Sequence, residues 1–176
     1  MSTAQQKVRK GEVEKVKPEV GQKPGRLQEE KTQEKQEKAR DVADALTLGL
    51  DIDDPLGVHQ AIMAGLPFSS LAKFEKAAKL PRVEVAKLIS TPLRSLARRK
   101  QTKRLRTGES ERLVRLATLF RLAHELFNGN EAAARRWLEE PCPALGNEAP
   151  LELAKTDVGA RQVETLIHQL EHGVYV

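Results

Sequence analysis

The spacing in this sequence that most resembles a chemical site is His168-x-x-Glu171-His172. Two histidines four residues apart share one helical face. With a third ligand and the intervening glutamate as base, they would form the zinc site of an inverted zincin. Only four residues follow His172, so a downstream ligand is not expected and no metal is assigned. Histidines in the last turn of a helix also have an electrostatic reason to be there, since they complement the negative end of its dipole. The lone Cys142 stands between Pro141 and Pro143 with no activating base nearby in sequence. There is no glycine-rich phosphate loop and no nucleophile elbow. His59 reads as a helix-surface residue and His124 as a core or boundary residue. The expectation is therefore a chain with no catalytic residues and no cofactor, and not an enzyme.

The second chemically pointed stretch is cationic. Across residues 91–106 the bases are Arg94, Arg98, Arg99, Lys100, Lys103, Arg104 and Arg106, with no acid among them. Arg94 and Arg98 are four apart and so share a face, read as lying opposite Leu93, Leu96 and Ala97. Such a face can reach base edges in a major groove while the bases after it neutralise phosphates. The competing reading is a solvated cationic face, or a surface for an acidic protein.

The elements that would carry these residues are helical. Ser69 or Ser70 caps a helix carrying Leu71, Phe74, Ala78 and Leu80. Pro81 opens another with Val85, Leu88 and Ile89 inward. Thr91 and Pro92 start a third, the basic one. Two short helices joined by a tight turn, the second basic, form the helix-turn-helix pattern, although the turn at Ser90 lacks the usual glycine. Upstream, Val42, Ala45, Leu46 and Leu48 suggest a short amphipathic turn ended by Gly49. Pro55 then begins a helix with Leu56, His59, Ile62 and Met63 at helical spacing. Downstream, Thr107 caps a long helix whose inward stripe is Leu113, Leu116, Phe120, Ala123 and Phe127, stopped by Asn128-Gly129. Asn130 caps the next, with Trp137 as a core anchor. A loop cluster of Leu145, Leu151 and Leu153 leads to a last helix capped by Thr156. Its stripe is Ala160, Val163, Ile167 and Leu170, and Gly159 with Ala160 gives it a low-relief face where another backbone could approach.

Composition agrees with an all-α chain. Aromatics make up 3% of the 176 residues and the formal net charge is +5, which disfavours both a large β-sandwich and an aromatic stacking platform for nucleic acid. Residues 1–40 have isolated apolar side chains and hold eleven Lys and Arg against seven Glu, a composition expected to stay disordered. This segment reads as a solubilising leader in preference to a phosphate-following arm. Residues 29–40 have the charge pattern of a solvated but marginal helix. From Asn130 onward eight acids face four bases, so the chain is basic in its middle and acidic at its end. A single cysteine, no apolar start and no long apolar run predict a cytoplasmic protein without a membrane partner.

The run from Arg112 to Tyr175, RLxRLAxLFxxAxELFxGNEAAARRWLxxPxPALGxxxPLELAxTxxGARQVExLIxxxEHGVY, resembles the toxin-binding domain of the MbcA/ParS/Xre antitoxins. The preceding GLPFSSLAKFEKAAKLPRVEVAKLISTPLRSLARRK resembles the Xre-like helix-turn-helix domain of the same family. The resemblance covers about Leu56 to Val176. It implies an all-α fold in which a helix-turn-helix domain for DNA binding and dimerisation is followed by a small helical toxin-binding domain. The charged leader is a departure from the family pattern. The expected division is a disordered leader at 1–40, the helix-turn-helix domain at 41–106 and the toxin-binding domain at 107–176. The resemblance further implies the antitoxin of a type II toxin–antitoxin pair. The partners would be a RES-domain toxin of NAD-consuming activity and operator DNA, with the antitoxin a homodimer inside a larger complex. Carried over by position, Trp137, Leu145, Pro150 and Leu151 shape the domain. Arg161, Glu164, His168, Val174, Tyr175 and Val176 are the candidates for toxin contact. Arg94, Arg98, Arg99, Lys100, Lys103 and Arg104 are the DNA-binding candidates. A stand-alone regulator whose C-terminal domain only dimerises, and an adaptor associated with cell pole or chromosome, are the other readings of the same residues.

Overall fold

The computed structural model describes residues 24–173, and every regular element among them is helical. The chain is expected to hold a disordered leader up to residue 40 and a separate turn after it. Instead one helix, α1 (Pro24–Leu46), crosses that boundary without a break. Residues 1–23 lie outside the described residues. Residues 29–40, whose charge pattern is that of a marginal solvated helix, lie within α1. Val42, Ala45 and Leu46 dock on the core, and this end offsets the cost of nucleation for the charged turns before it.

After α1 come α2 (Pro55–Ala64), α3 (Phe68–Ala77), α4 (Arg82–Leu88), α5 (Leu93–Thr102) and α6 (Thr107–Leu126). Then follow α7 (Glu131–Glu139), a 3₁₀ turn (Pro143–Leu145), α8 (Pro150–Leu153) and α9 (Asp157–Glu171). No helix among the described residues is long and apolar enough to cross a membrane.

Three expected caps are displaced. α3 starts at Phe68 behind Pro67, and Ser70 is buried with its hydroxyl 3.4 Å from the Leu48 carbonyl. α5 starts at Leu93 behind Pro92, while buried Thr91 donates its hydroxyl to Ile89 O at 3.1 Å. At α6 the cap is Arg106, whose backbone N–H donates to Glu109 Oε2 at 2.7 Å. Ser70 and Thr107 fall inside the first turns of their helices, while Thr91 precedes the cap and gives its hydroxyl to a carbonyl two residues back. Asn130 and Thr156 do cap α7 and α9, accepting from Ala133 N at 3.2 Å and Gly159 N at 3.1 Å.

The larger core gathers Leu71, Phe74, Val85, Ile89, Leu96 and one side of α6, with Phe74 set edge-on to Phe120 at 5.3 Å. A smaller core holds Leu119 and Leu122 from the other side of α6 against Ala154, Ala160, Val163 and Ile167. α6 is therefore apolar on two faces, which is why its buried positions include 116, 117, 119, 120, 122 and 123. Half-buried Trp137 packs against both cores, its ring 6.3 Å from that of Phe127.

Candidate functional sites

The turn between α4 and α5 is closed without glycine, because Ser90 itself takes a left-handed backbone at φ +49°. Non-glycine residues adopt that region at some cost, and surrounding bonds hold this one. Thr91 N donates to Ala86 O at 2.8 Å, and Arg112 Nε from α6 donates to Ile89 O at 2.6 Å. On α4 the neighbouring Arg82 makes a two-pronged pair with Glu75 at 2.7 Å through each nitrogen. The hydrogen bonds to that carboxylate hold the Arg82 pKa above its ordinary value.

α5 is then presented with a rotation different from the expected one. Leu93 and Ala97, expected inward, are exposed, Leu93 by 46%. The core-facing side is carried by Leu96 and Arg99. The exposed stripe opposite them is Arg94, Ala97, Arg98 and Gln101, at i, i+3, i+4 and i+7. Gln101 escapes a reading by charge because it carries none, although its spacing from Arg94 and Arg98 is a usable signal. On one helical face, arginine as a double donor and glutamine as a paired donor and acceptor have the groups that match base edges in a major groove.

The remaining candidate bases divide. Lys100 and Lys103 are exposed, with no ion pair among the described residues. Arg104 turns its guanidinium back to the end of α2, donating to Ala64 O at 3.2 Å and Gly65 O at 2.9 Å. Arg99 is buried, with Nε 3.0 Å from Glu109 Oε2. The same oxygen also accepts the Arg106 N–H. Arg99 thus ties α5 to α6 and turns away from any surface.

The second candidate surface lies on the last helix. The low relief of Gly159 and Ala160 does admit another backbone, and that backbone belongs to this chain. A Cβ on Gly159 would meet Leu153 O at 2.2 Å. That approach fixes α9 on α8 and leaves an open groove of about 1120 Å³ between α9 and the 3₁₀ turn. Leu145, Val158, Arg161, Thr165, Leu166 and Leu170 line it, and Val158 is 71% exposed.

Of the residues expected to contact a partner, Arg161 lines this groove, its guanidinium paired with Asp157. Asp157 also faces Arg115 of α6 at 3.5 Å. Glu164 and His168 lie on the other flank of α9, where His168 Nδ1 is 3.4 Å from Glu171 Oε2. Val174, Tyr175 and Val176 lie outside the described residues. Val158 and Leu166, with Thr165, form a second stripe on α9, legible as a seven- and eight-residue repeat but hidden beside the stronger core stripe. Among the described residues no group of three His, Cys, Asp or Glu side chains can hold a metal ion.

Two family models match the chain in this order. The antitoxin Xre-like helix-turn-helix domain covers residues 57–117, and the antitoxin Xre/MbcA/ParS C-terminal toxin-binding domain covers residues 122–173. They meet inside α6, the helix that belongs to both cores. Three relatives carry the name Antitoxin Xre. The protein from Yersinia enterocolitica is 37% identical over 99 residues, 56% of this chain and 67% of the relative. The one from Photorhabdus laumondii is 27% identical over 129 residues, 73% and 87% of the two chains. The one from Pseudomonas putida is 32% identical over 117 residues, 66% and 72% of the two chains.

Proposed function

The chain belongs to the Xre/MbcA/ParS antitoxin family, and from that membership we propose that it binds a RES-domain, NAD-consuming toxin, covers its active site, and represses its own operon as a homodimer. The observation that carries this reading is the open groove on the toxin-binding domain. Exposed Val158 and half-buried Leu166 line it beside the cation Arg161. An apolar patch with a charged margin is the anatomy of a protein interface. The antitoxin acts on an enzyme without itself performing chemistry. Val174, Tyr175 and Val176, outside the described residues, are carried over from the family resemblance as further toxin contacts.

The DNA-facing part of the proposal rests on the α5 stripe Arg94, Arg98 and Gln101, with Lys100 and Lys103 as phosphate contacts. Arg99 and Arg104 support the helix from behind. The experiment that tests the whole is co-expression with a RES-domain toxin encoded beside this gene. The full chain restores growth, and removal of residues 174–176 weakens rescue while operator binding is unchanged. Full protection by the shortened chain would remove the tail from the inhibitory surface. Failure of the full chain to protect would favour a stand-alone regulator.

A further inference from the structure

His124, near the end of α6, is only 5% exposed, and its Nε2 is buried without a hydrogen-bond partner. A polar atom left unpaired in a core is costly, and native cores hold few of them. Neither the α9 groove nor the α5 stripe makes use of this ring.

The imidazole forms part of the wall of a pocket of about 210 Å³ where α1, α3, α6 and α7 meet. Val42 and Leu46 of α1, Phe120 of α6 and three alanines make up its apolar lining. Those alanines, Ala77, Ala78 and Ala134, explain the space: their short side chains leave unfilled what larger ones would close. The charged groups that reach the pocket are already engaged. Glu131 is paired with Lys79, and Arg135 donates to Glu139 at 2.7 Å and to the Lys79 carbonyl at 3.2 Å. His124 Nε2 is thus the polar atom that the pocket leaves open.

That chemistry narrows the occupant. Water is held in such a place only by two or more polar partners, roughly, and one is on offer. An ion would leave solvent for an aliphatic wall whose charges are already matched. A plain hydrocarbon would fill the space and leave Nε2 unpaired. An apolar molecule with a single hydrogen-bonding group meets both needs. A neutral imidazole nitrogen donates in one tautomer and accepts in the other, so a hydroxyl, which does both, suits either. Apolar cavities of roughly 150 Å³ take a benzene ring, and this pocket has room for such a ring with one substituent. We propose that the pocket is a binding site for a small ring compound bearing one hydroxyl group, held by His124 Nε2 and the aliphatic wall. Because Val42 and Leu46 form one side of it, an occupant fastens α1 to α6, the helix that both cores share. Occupancy then stabilises the anchorage of α1 by mass action. The site depends on neither the toxin nor the DNA reading.

Calorimetric titration of the full chain with phenol, and with toluene as the probe of like shape that lacks the hydroxyl, tests the proposal. Phenol binds saturably with a dissociation constant on the order of millimolar, as its few atoms allow. Toluene binds at least roughly fivefold more weakly, for want of the hydrogen bond. Phenol also slows amide exchange across residues 39–46 and 131–135, which flank the pocket, and leaves α9 unchanged. His124→Leu removes the unpaired nitrogen, so it keeps the wild-type circular dichroism and melting temperature or raises the latter. It takes phenol no better than toluene. Ala78→Leu fills the pocket and binds neither. A wild type that shows no saturable phenol binding would overturn the proposal. So would a preference for phenol that survives His124→Leu, or protection that appears on α9 in place of the pocket's flanks.

Discussion

Arg98 and Arg99 are adjacent cations on α5, and the helix sends one into solvent and the other onto Glu109. In the sequence they belong to one uninterrupted basic run. Charge counting cannot separate them, and Glu109 lies on the next helix. Truncating Arg99 leaves a buried carboxylate without its cation, a loss of about 3–5 kcal/mol by the usual scale for such pairs. Arg99→Ala is therefore expected to lower the urea midpoint sharply. Arg94→Ala and Arg98→Ala change stability by no more than about 0.5 kcal/mol. On the proposed DNA reading, the same two exposed substitutions are each expected to weaken operator binding. Lys100→Ala and Lys103→Ala are each expected to reduce the salt slope of binding by about one, since each proposed phosphate contact would be lost. Gel shifts across a salt series check this, and unchanged slopes would remove these residues from the DNA face.

At the scale of elements, the helices of the described region are legible wherever a proline or a capping side chain precedes an apolar period. Pro55, Asn130 and Thr156 each mark a start that the structure keeps. What stays hidden is what an amphipathic wheel cannot hold: the rotation of α5, which exposes Leu93 and Ala97, and the continuity of α1. Rotation is decided by partners such as Glu109 and by the left-handed Ser90. Gly159 shows the same dependence, since its lack of a side chain makes room for Leu153 O inside the domain. Gly159→Ala is expected to cost more than about 2 kcal/mol, because a backbone atom and not a flexible side chain must move. Gly146→Ala meets nothing within 4 Å and strains only its φ of +69°, for about 1 kcal/mol. Paired thermal melts distinguish the two. Equal losses would mean that the α8–α9 approach is not tight.

Across the whole molecule, α6 is the shared structural member, with one face in the core of the helix-turn-helix region and the other under α9. The two family matches meet on it for that reason. The basic middle of the sequence corresponds to the α5 stripe, whereas the α9 groove, within the acidic end, is lined by apolar and uncharged polar side chains with Arg161 as its charged member. The sequence resemblance points to toxin contacts at Arg161, Glu164 and His168, but only the first lies in the groove. If the toxin sits in that groove, its NAD consumption must respond to the groove's apolar residues. Inhibition of a RES-domain toxin is therefore to be titrated with wild type and with the Val158→Asp, Leu166→Asp variant. Wild type is expected to inhibit at near-equal ratio, and the folded variant to need at least roughly tenfold more. Equal inhibition by both proteins would place the toxin elsewhere on the molecule.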